Sequence, residues 1–238
     1  MKAALLLTFL LSSLWSPGEQ REVEISGNRY RVFTAEPDRI KMVWRDEQGV
    51  PLRTFDRARA HLERGSAEVA MLMNGGIFEP GLRPSGWYVE EGRTLAALNL
   101  RDGRGNFFLK PNGVFAILGE GESAKARVVE AGKAGSLAAP HYAVQSGPAL
   151  LLGGKIHPAF REGSPNKLLR NGVGVDDKGR VVFVLTIDDV NLWTFASCFR
   201  ELGCQEALFL DGDISRMVIE PDEGVRGTGY ASFIAVMK

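Results

Sequence analysis

Strand-like, mostly apolar runs at 68–73, 181–187 and 207–210, and two stretches with apolar positions every third or fourth residue, at 54–64 and 191–202, divide the chain into short elements. A short unbroken run suits a strand covered on both faces, and a 3.6-residue period marks an amphipathic helix. In the first helix Phe55, Ala58 and Leu62 share a face, Thr54 stands at the N-cap, Asp56 lies in the first turn and Gly65 follows the end. In the second the stripe is Leu192, Phe195, Ala196, Phe199 and Leu202, with Asn191 as cap and Gly203 as terminator. Segments 22–26 and 29–34 flank Gly27-Asn28 as a hairpin and, with 41–44, form an opening antiparallel meander. Further hairpins turn at Glu91-Gly92 and at Asp176-Asp177-Lys178-Gly179. Residues 105–115 read as two strands about a Pro-Asn-Gly turn, and the weakly patterned 116–139 as a surface excursion or a lid. Strand, helix and strand from 181 to 210 form a right-handed parallel crossover. The expected fold is therefore mixed α/β (α+β): a single domain with a strand-rich mixed sheet and a few amphipathic helices.

Two strands end in acids. Asp188-Asp189 closes 181–187, Asp211-Gly212-Asp213 closes 207–210, and the crossover puts both tips at one sheet edge, where ligands bind in open α/β sheets. Ionised side chains are costly to bury unpaired, so such acids hold either a structural partner or a chemical task. Asn74-Gly75-Gly76 breaks the strand before it, giving a tight turn or a close backbone approach to a ligand. Gln145 and Ser146 interrupt an apolar segment and need partners, in the backbone or in a substrate.

The amino terminus alters the picture of where the protein works. Lys2, the apolar run 3–11, Ser12-Ser13 and Pro17-Gly18 have the layout of a secretory signal peptide over 1–18, so an exported, periplasmic or secreted protein starting between Ser16 and Glu22 is expected. The run is too short to span a bilayer and no comparable one recurs, so no membrane span is expected in the mature chain. Residues 19–67 then supply the meander and first helix of the domain whose core is 68–238. With 45% apolar residues that domain buries a sizeable core. Lys+Arg and Asp+Glu both number 29, which leaves no basic excess for nucleic acid and points to a small ligand. Cys198 and Cys204 straddle the end of the second helix, open to a disulfide or to a reduced packing pair.

Several chemistries drop out. There is no Cys/His cluster at zinc spacing, no phosphate loop and no Gly-x-Ser-x-Gly elbow, so no cofactor is expected, with use of a metal left open. A calcium loop fails because Arg216 stands where glycine is needed. A haloacid-dehalogenase motif at Asp211 sits too close to the C-terminus to open its domain. Carboxylate chemistry on an organic substrate remains.

Four motifs occur in order: Asn74-Gly75-Gly76-Ile77-Phe78, Gln145-Ser146-Gly147-Pro148, Arg170-Asn171-Gly172-Val173-Gly174 and Leu210-Asp211-Gly212-x-x-Ser215. Together they resemble the phosphodiester glycosidase family, that of the lysosomal uncovering enzyme, which removes N-acetylglucosamine from phosphodiester-linked mannose. Asn106 to Phe115 and Ile156-His157-Pro158 resemble its exported bacterial members. The resemblance implies a small carbohydrate or phospho-sugar substrate. It also implies a pocket lined by Asn74, Gly75, Gly76, Gln145, Ser146, Asp188, Gly212 and Ser215, with Asp211, Arg170 and Asp213 as the catalytic set. In it Asp211 is the acid/base group, Arg170 grips phosphate through its forked donors, and Asn74 meets sugar hydroxyls. The alternatives are an Arg170 held in an ion pair with Asp188 or Asp213, a glycan-binding module without turnover, and a wall-polymer glycosidase or amidase acting without phosphate.

Overall fold

The computed structural model describes residues 18–219 and 229–238. Residues 1–17, where the leader is expected, lie outside them. Among the described residues no helix is long and apolar enough to cross a membrane.

Among the described residues three larger sheets pack around a central cluster, and a two-stranded ribbon pairs Phe78–Glu79 with Arg83–Pro84. A seven-stranded sheet runs in the order Glu19–Ile25, Asn28–Ala35, Val181–Thr186, Asn171–Asp176, Cys204–Asp211, Ala149–Leu152, Lys155–Ile156. A five-stranded sheet holds Lys125–Glu130, Gly113–Leu118, Pro140–Ser146, Tyr88–Glu90 and Arg93–Ala96. A four-stranded sheet holds Met217–Ile219, Val69–Gly75, Ser232–Met237 and Ile40–Val43. Alternate residues of each strand serve different layers, because successive side chains point to opposite faces. Leu208 and Leu210 enter the central cluster with Phe183, Phe115, Met71 and Met73. Their neighbours Ala207 and Phe209 pack outward with Phe195 and Phe199 of the helix Leu192–Glu201. The helix Phe55–Leu62 covers the four-stranded sheet in the same way, against Leu72, Phe233 and Ala235. Both faces of these central strands are therefore dry, which is why they are apolar runs, while the edge strands Glu19–Ile25 and Arg93–Ala96 are exposed.

The strand-rich α+β fold with few helices is as the sequence implies, and both helices carry the expected caps. Thr54 accepts from the Arg57 amide at 3.2 Å and Asn191 from the Thr194 amide at 2.9 Å. The crossover differs. Val181–Thr186 and Cys204–Asp211 run the same way but are not neighbours, because Asn171–Asp176 lies between them, antiparallel to both. The register sets Asn171 opposite Leu185 on one side and Asp211 on the other, so the two acid-tipped ends do share one edge. Three local expectations are corrected. Ile40–Val43 leaves the opening hairpin for the four-stranded sheet. Asn106–Phe108 is a 3-10 turn, fastened by the Asn112 amide donating to the Phe107 carbonyl at 2.9 Å, and only Gly113–Leu118 is a strand. The 116–139 region is neither excursion nor lid, since Lys125–Glu130 is the edge strand paired to Gly113–Leu118.

Cys198 and Cys204 are buried free thiols, so the pair is reduced and packed rather than bridged. Burial pushes the Cys204 thiol up to about 12 and the Cys198 thiol further still, and a thiol so held is a poor nucleophile. Folded protein should therefore leave a thiol reagent unreacted, with two equivalents appearing on denaturation.

A second titratable group sits where sheets meet. Glu90 accepts from the Trp44 amide at 3.1 Å and lies 3.4 Å from the Tyr88 hydroxyl, and burial raises its carboxyl to about 7. A raised carboxyl contributes stability that is full below its unfolded value and is lost as pH climbs through about 7. Glu90→Gln is thus expected to stabilise the protein above pH 7, by about 3 kcal/mol at most on the scale of 1.4 kcal/mol per unit, and not at pH 4. Melting curves of both forms at the two pH values check it.

Candidate active site around Asp211

Asp211 ends the Cys204–Asp211 strand and leaves it half-buried at the sheet edge. The chain beyond folds back on its carboxylate: Oδ1 accepts from the Asp213 amide at 3.0 Å and the Ile214 amide at 3.4 Å. Oδ2 accepts from Asn74 Nδ2 at 2.8 Å. Burial raises the Asp211 pKa above the ordinary aspartate value, and these donors, with the Gly212 amide, oppose the rise. A carboxylate oxygen has two lone pairs, so Oδ1 is saturated by the two loop amides while Oδ2, with Asn74 alone, keeps capacity for a further partner.

Asn74 is the hub of the site. It is 1% exposed at the end of Val69–Gly75, and its Oδ1 accepts from the Arg216 amide at 2.8 Å and from Asn171 Nδ2 at 2.9 Å. One amide therefore ties the four-stranded sheet to two strands of the seven-stranded sheet and to the loop after Asp211. Around this hub three polar atoms are buried without a partner: Asn171 Oδ1, Ser215 Oγ and Arg170 Nη1. Buried polar groups are normally satisfied, so this unmet capacity beside a half-buried carboxylate makes the spot the candidate site.

Arg170 is placed otherwise than an exposed phosphate grip. It is 1% exposed; Nε donates to the Val190 carbonyl at 2.7 Å and Nη2 to the Asn166 carbonyl at 3.0 Å. Nη1 lies under the loop, where a Cβ on Gly212 would meet it at 2.9 Å and Phe209 at 2.7 Å. It pairs with neither Asp188 nor Asp213; Asp189 is the acid whose charge it feels, and burial lowers it to about 10. Only glycine fits between Arg170 and the site, which accounts for Gly212. Gly76 is there for its backbone as well: its φ is +39° and a Cβ would lie 2.8 Å from Val144. Gly75 sits in the strand beside Ser232, whose hydroxyl donates to its carbonyl at 3.3 Å.

Three expected ligand contacts have partners inside the protein. Gln145 uses its amide on backbone, Oε1 accepting from Trp87 and Asn99 at 2.9 Å each and Nε2 donating to the Asn99 carbonyl at 2.7 Å. The Ser146 hydroxyl donates to the Leu210 carbonyl and accepts from the Ile77 amide, both at 3.3 Å. It pins the glycine turn to the acid strand. Asp188 is taken by Arg29, through its amide at 2.8 Å and its guanidinium at 2.8 Å, and Arg29 holds it below the usual carboxylate range. Asp213 is exposed, and its backbone rather than its side chain meets Asp211.

Arg216 and Tyr230 join the site without having been expected there. Tyr230 is 5% exposed against Phe55. Burial pushes its phenol up, hydrogen-bonded Arg216 pulls it back, and the Asp211 charge adds to the rise. Arg216 follows Ser215 directly, so the motif itself could have signalled it. Tyr230 carries no such signal, because it arrives through the strand that follows it. Among the described residues no group of three or more metal-ligating side chains forms.

Residues 67–230 match the phosphodiester glycosidase family over more than half of the chain. The chain belongs to that family. Over 194 residues it is 35% identical to the uncharacterized protein YigE of Escherichia coli (strain K12), covering 80% of this chain and 74% of that protein. Its fold is similar to the zebrafish N-acetylglucosamine-1-phosphodiester alpha-N-acetylglucosaminidase catalytic domain auto-inhibited by pro-peptide. The TM-score is 0.62 at 13% identity, over 92% of this chain and 81% of that one. It is also similar to a hypothetical protein from Synechocystis, with a TM-score of 0.55 at 15% identity over 92% and 61% of the two chains. At these identities the likeness to the two structures shows the fold. Membership of the family suggests a glycosidase-like hydrolase with a carbohydrate substrate, and the four motifs that resemble it all abut Asp211 or brace the strands that deliver it.

Proposed function

We propose that the protein is an exported hydrolase that splits a sugar from a phosphodiester-linked or cell-envelope glycan, with Asp211 as its proton-transfer group. The observation that carries this reading is the half-buried, up-shifted Asp211 carboxyl, held by Asn74 and two loop amides beside three unsatisfied polar atoms. Export is supported by the leader-like residues 1–18.

Hydrolysis breaks the bond from the anomeric carbon to the leaving oxygen and forms one to water, whose proton must go elsewhere. A phosphate leaving oxygen is weakly basic and needs little protonation, so the demanding transfer is the one from water. Ionised Asp211, more basic than an ordinary aspartate, accepts that proton. Asn74 Nδ2 and the 213 and 214 amides orient the carboxylate. In this arrangement the acid limb of kcat/KM lies above the ordinary aspartate range, with the rate falling as Asp211 is protonated. The test is incubation of purified protein with sugar-phosphodiester and peptidoglycan fragments, recording product masses. Release of free sugar and a phosphomonoester supports the reading, and intact substrates across the set contradict it.

A further inference from the structure

Seven large apolar side chains are exposed among the described residues, and three of them, Leu95, Leu98 and Leu100, fall within 95–100. They line one groove of about 500 Å³ together with Trp44, Arg83 and Arg101. That volume is within the range of about 300 to 1,000 Å³ of ligand sites. A single exposed leucine needs no explanation, but a contiguous apolar surface rimmed by polar groups marks a place of contact.

The fold holds this surface in place. Buried Asn99 is fixed by Gln145, whose Oε1 accepts from the Asn99 amide at 2.9 Å and whose Nε2 donates to the Asn99 carbonyl at 2.7 Å. Asn99 Nδ2 in turn donates to the Ser85 carbonyl at 2.8 Å, and its Oδ1 accepts from Arg101 Nε at 3.2 Å. The segment carrying Arg83 is fastened as well, by Trp44 Nε1 on the Leu82 carbonyl at 2.8 Å and by the Ser85 hydroxyl on Glu79 at 3.0 Å. Bracing an irregular segment while its leucines stay in water serves contact with something outside, as in binding loops set on a rigid scaffold.

Charge and backbone say what fits. The groove walls hold two arginines and no carboxylate, and neither Arg83 nor Arg101 has an ion pair among the described residues. An acidic occupant is therefore complementary. Arg93–Ala96, which supplies Leu95, is the last strand of its sheet and pairs only with Tyr88–Glu90 among the described residues. Its outer edge offers main-chain donors and acceptors to an extended chain. A second copy of the protein would bring the same arginines against each other, and a bilayer takes protruding side chains rather than a concave wall. We propose that the groove docks an extended acidic peptide segment of a partner protein, its apolar side chains on Leu95, Leu98 and Leu100 and its carboxylates on Arg83 and Arg101. This function is separate from the hydrolysis proposed for Asp211.

The test titrates a capped hexapeptide of alternating glutamate and leucine into the full chain at low ionic strength, followed by calorimetry, with a lysine and leucine hexapeptide as the charge-reversed control. The expected result is saturable binding of the glutamate peptide that weakens with salt, none of the lysine peptide, and affinity at least about tenfold lower in Arg101→Glu and in Leu98→Asp. Leu98 and Arg101 are exposed, so circular dichroism and melting should show both variants folded. Absence of saturable binding, equal affinity for the two peptides, or affinity unchanged in either variant overturns the proposal. Cosedimentation with phosphatidylglycerol vesicles, or a dimer in sedimentation, that is lost in Leu98→Asp also overturns it, since it assigns the groove to a bilayer or to a second copy.

Discussion

Asp211→Asn is expected to fold as the parent does and to lose at least about a hundredfold in turnover, the low end of what a general acid or base supplies. The substitution keeps the size of the side chain and an oxygen for the loop amides at 213 and 214, which donate to Oδ1. It removes the group that titrates. It also removes the burial cost of the charge, because Asp211 is raised by desolvation first of all. A raised carboxyl contributes stability lost as pH rises through its folded value, and this relief offsets the loss at Oδ2, where an amide nitrogen would face Asn74 Nδ2, so the variant should melt close to the parent at neutral pH. Activity and stability therefore move separately here, which a purely structural acid would not allow. Asp213→Asn should stay within about tenfold, since Asp213 is exposed and only its backbone serves the site.

Asn74→Ala is expected to cost both fold and activity. The buried amide is donor to Asp211 and acceptor for the Arg216 amide and Asn171 Nδ2, and truncation leaves those groups without it. An orphaned buried group costs about 1 to 3 kcal/mol, and about 2 to 3 kcal/mol in all is expected after relaxation. For a chain of this size that is a fall in Tm of about 5 to 10 °C. Asp211 loses a donor that favours its charged form, so the acid limb of the rate profile should move to higher pH. Calorimetric scans and a pH-rate profile of the variant check the two effects independently.

The helices and the acid-tipped strands were legible in the sequence because each is written locally. Thr54 and Asn191 cap, Gly65 and Gly203 terminate, and an unbroken apolar run reports two covered faces. The relation between strands was not local. Val181–Thr186 and Cys204–Asp211 are covered on both faces, as parallel strands are, yet the intervening Asn171–Asp176 makes each pairing antiparallel. Gln145 and Ser146 illustrate the same limit at side-chain level. Their burial and polarity require partners, but whether those are backbone or substrate depends on Trp87, Asn99, Ile77 and Leu210, which only the fold brings near. Arg170 was legible as a special cation, and its seat beneath Gly212 rather than on the surface was not. Tyr230 enters because Ser232–Met237 pairs with Val69–Gly75, a register that no motif records.

One measurement bears most directly on the claim that Asp211 carries a hydrolytic reaction. Purified parent and Asp211→Asn proteins, matched for melting temperature, are given an aryl phosphodiester glycoside, and the released sugar and phosphomonoester are quantified by mass. The account predicts steady release by the parent, with an acid limb above the ordinary aspartate range, and at least about a hundredfold less by the variant. Equal release by the two proteins would contradict it.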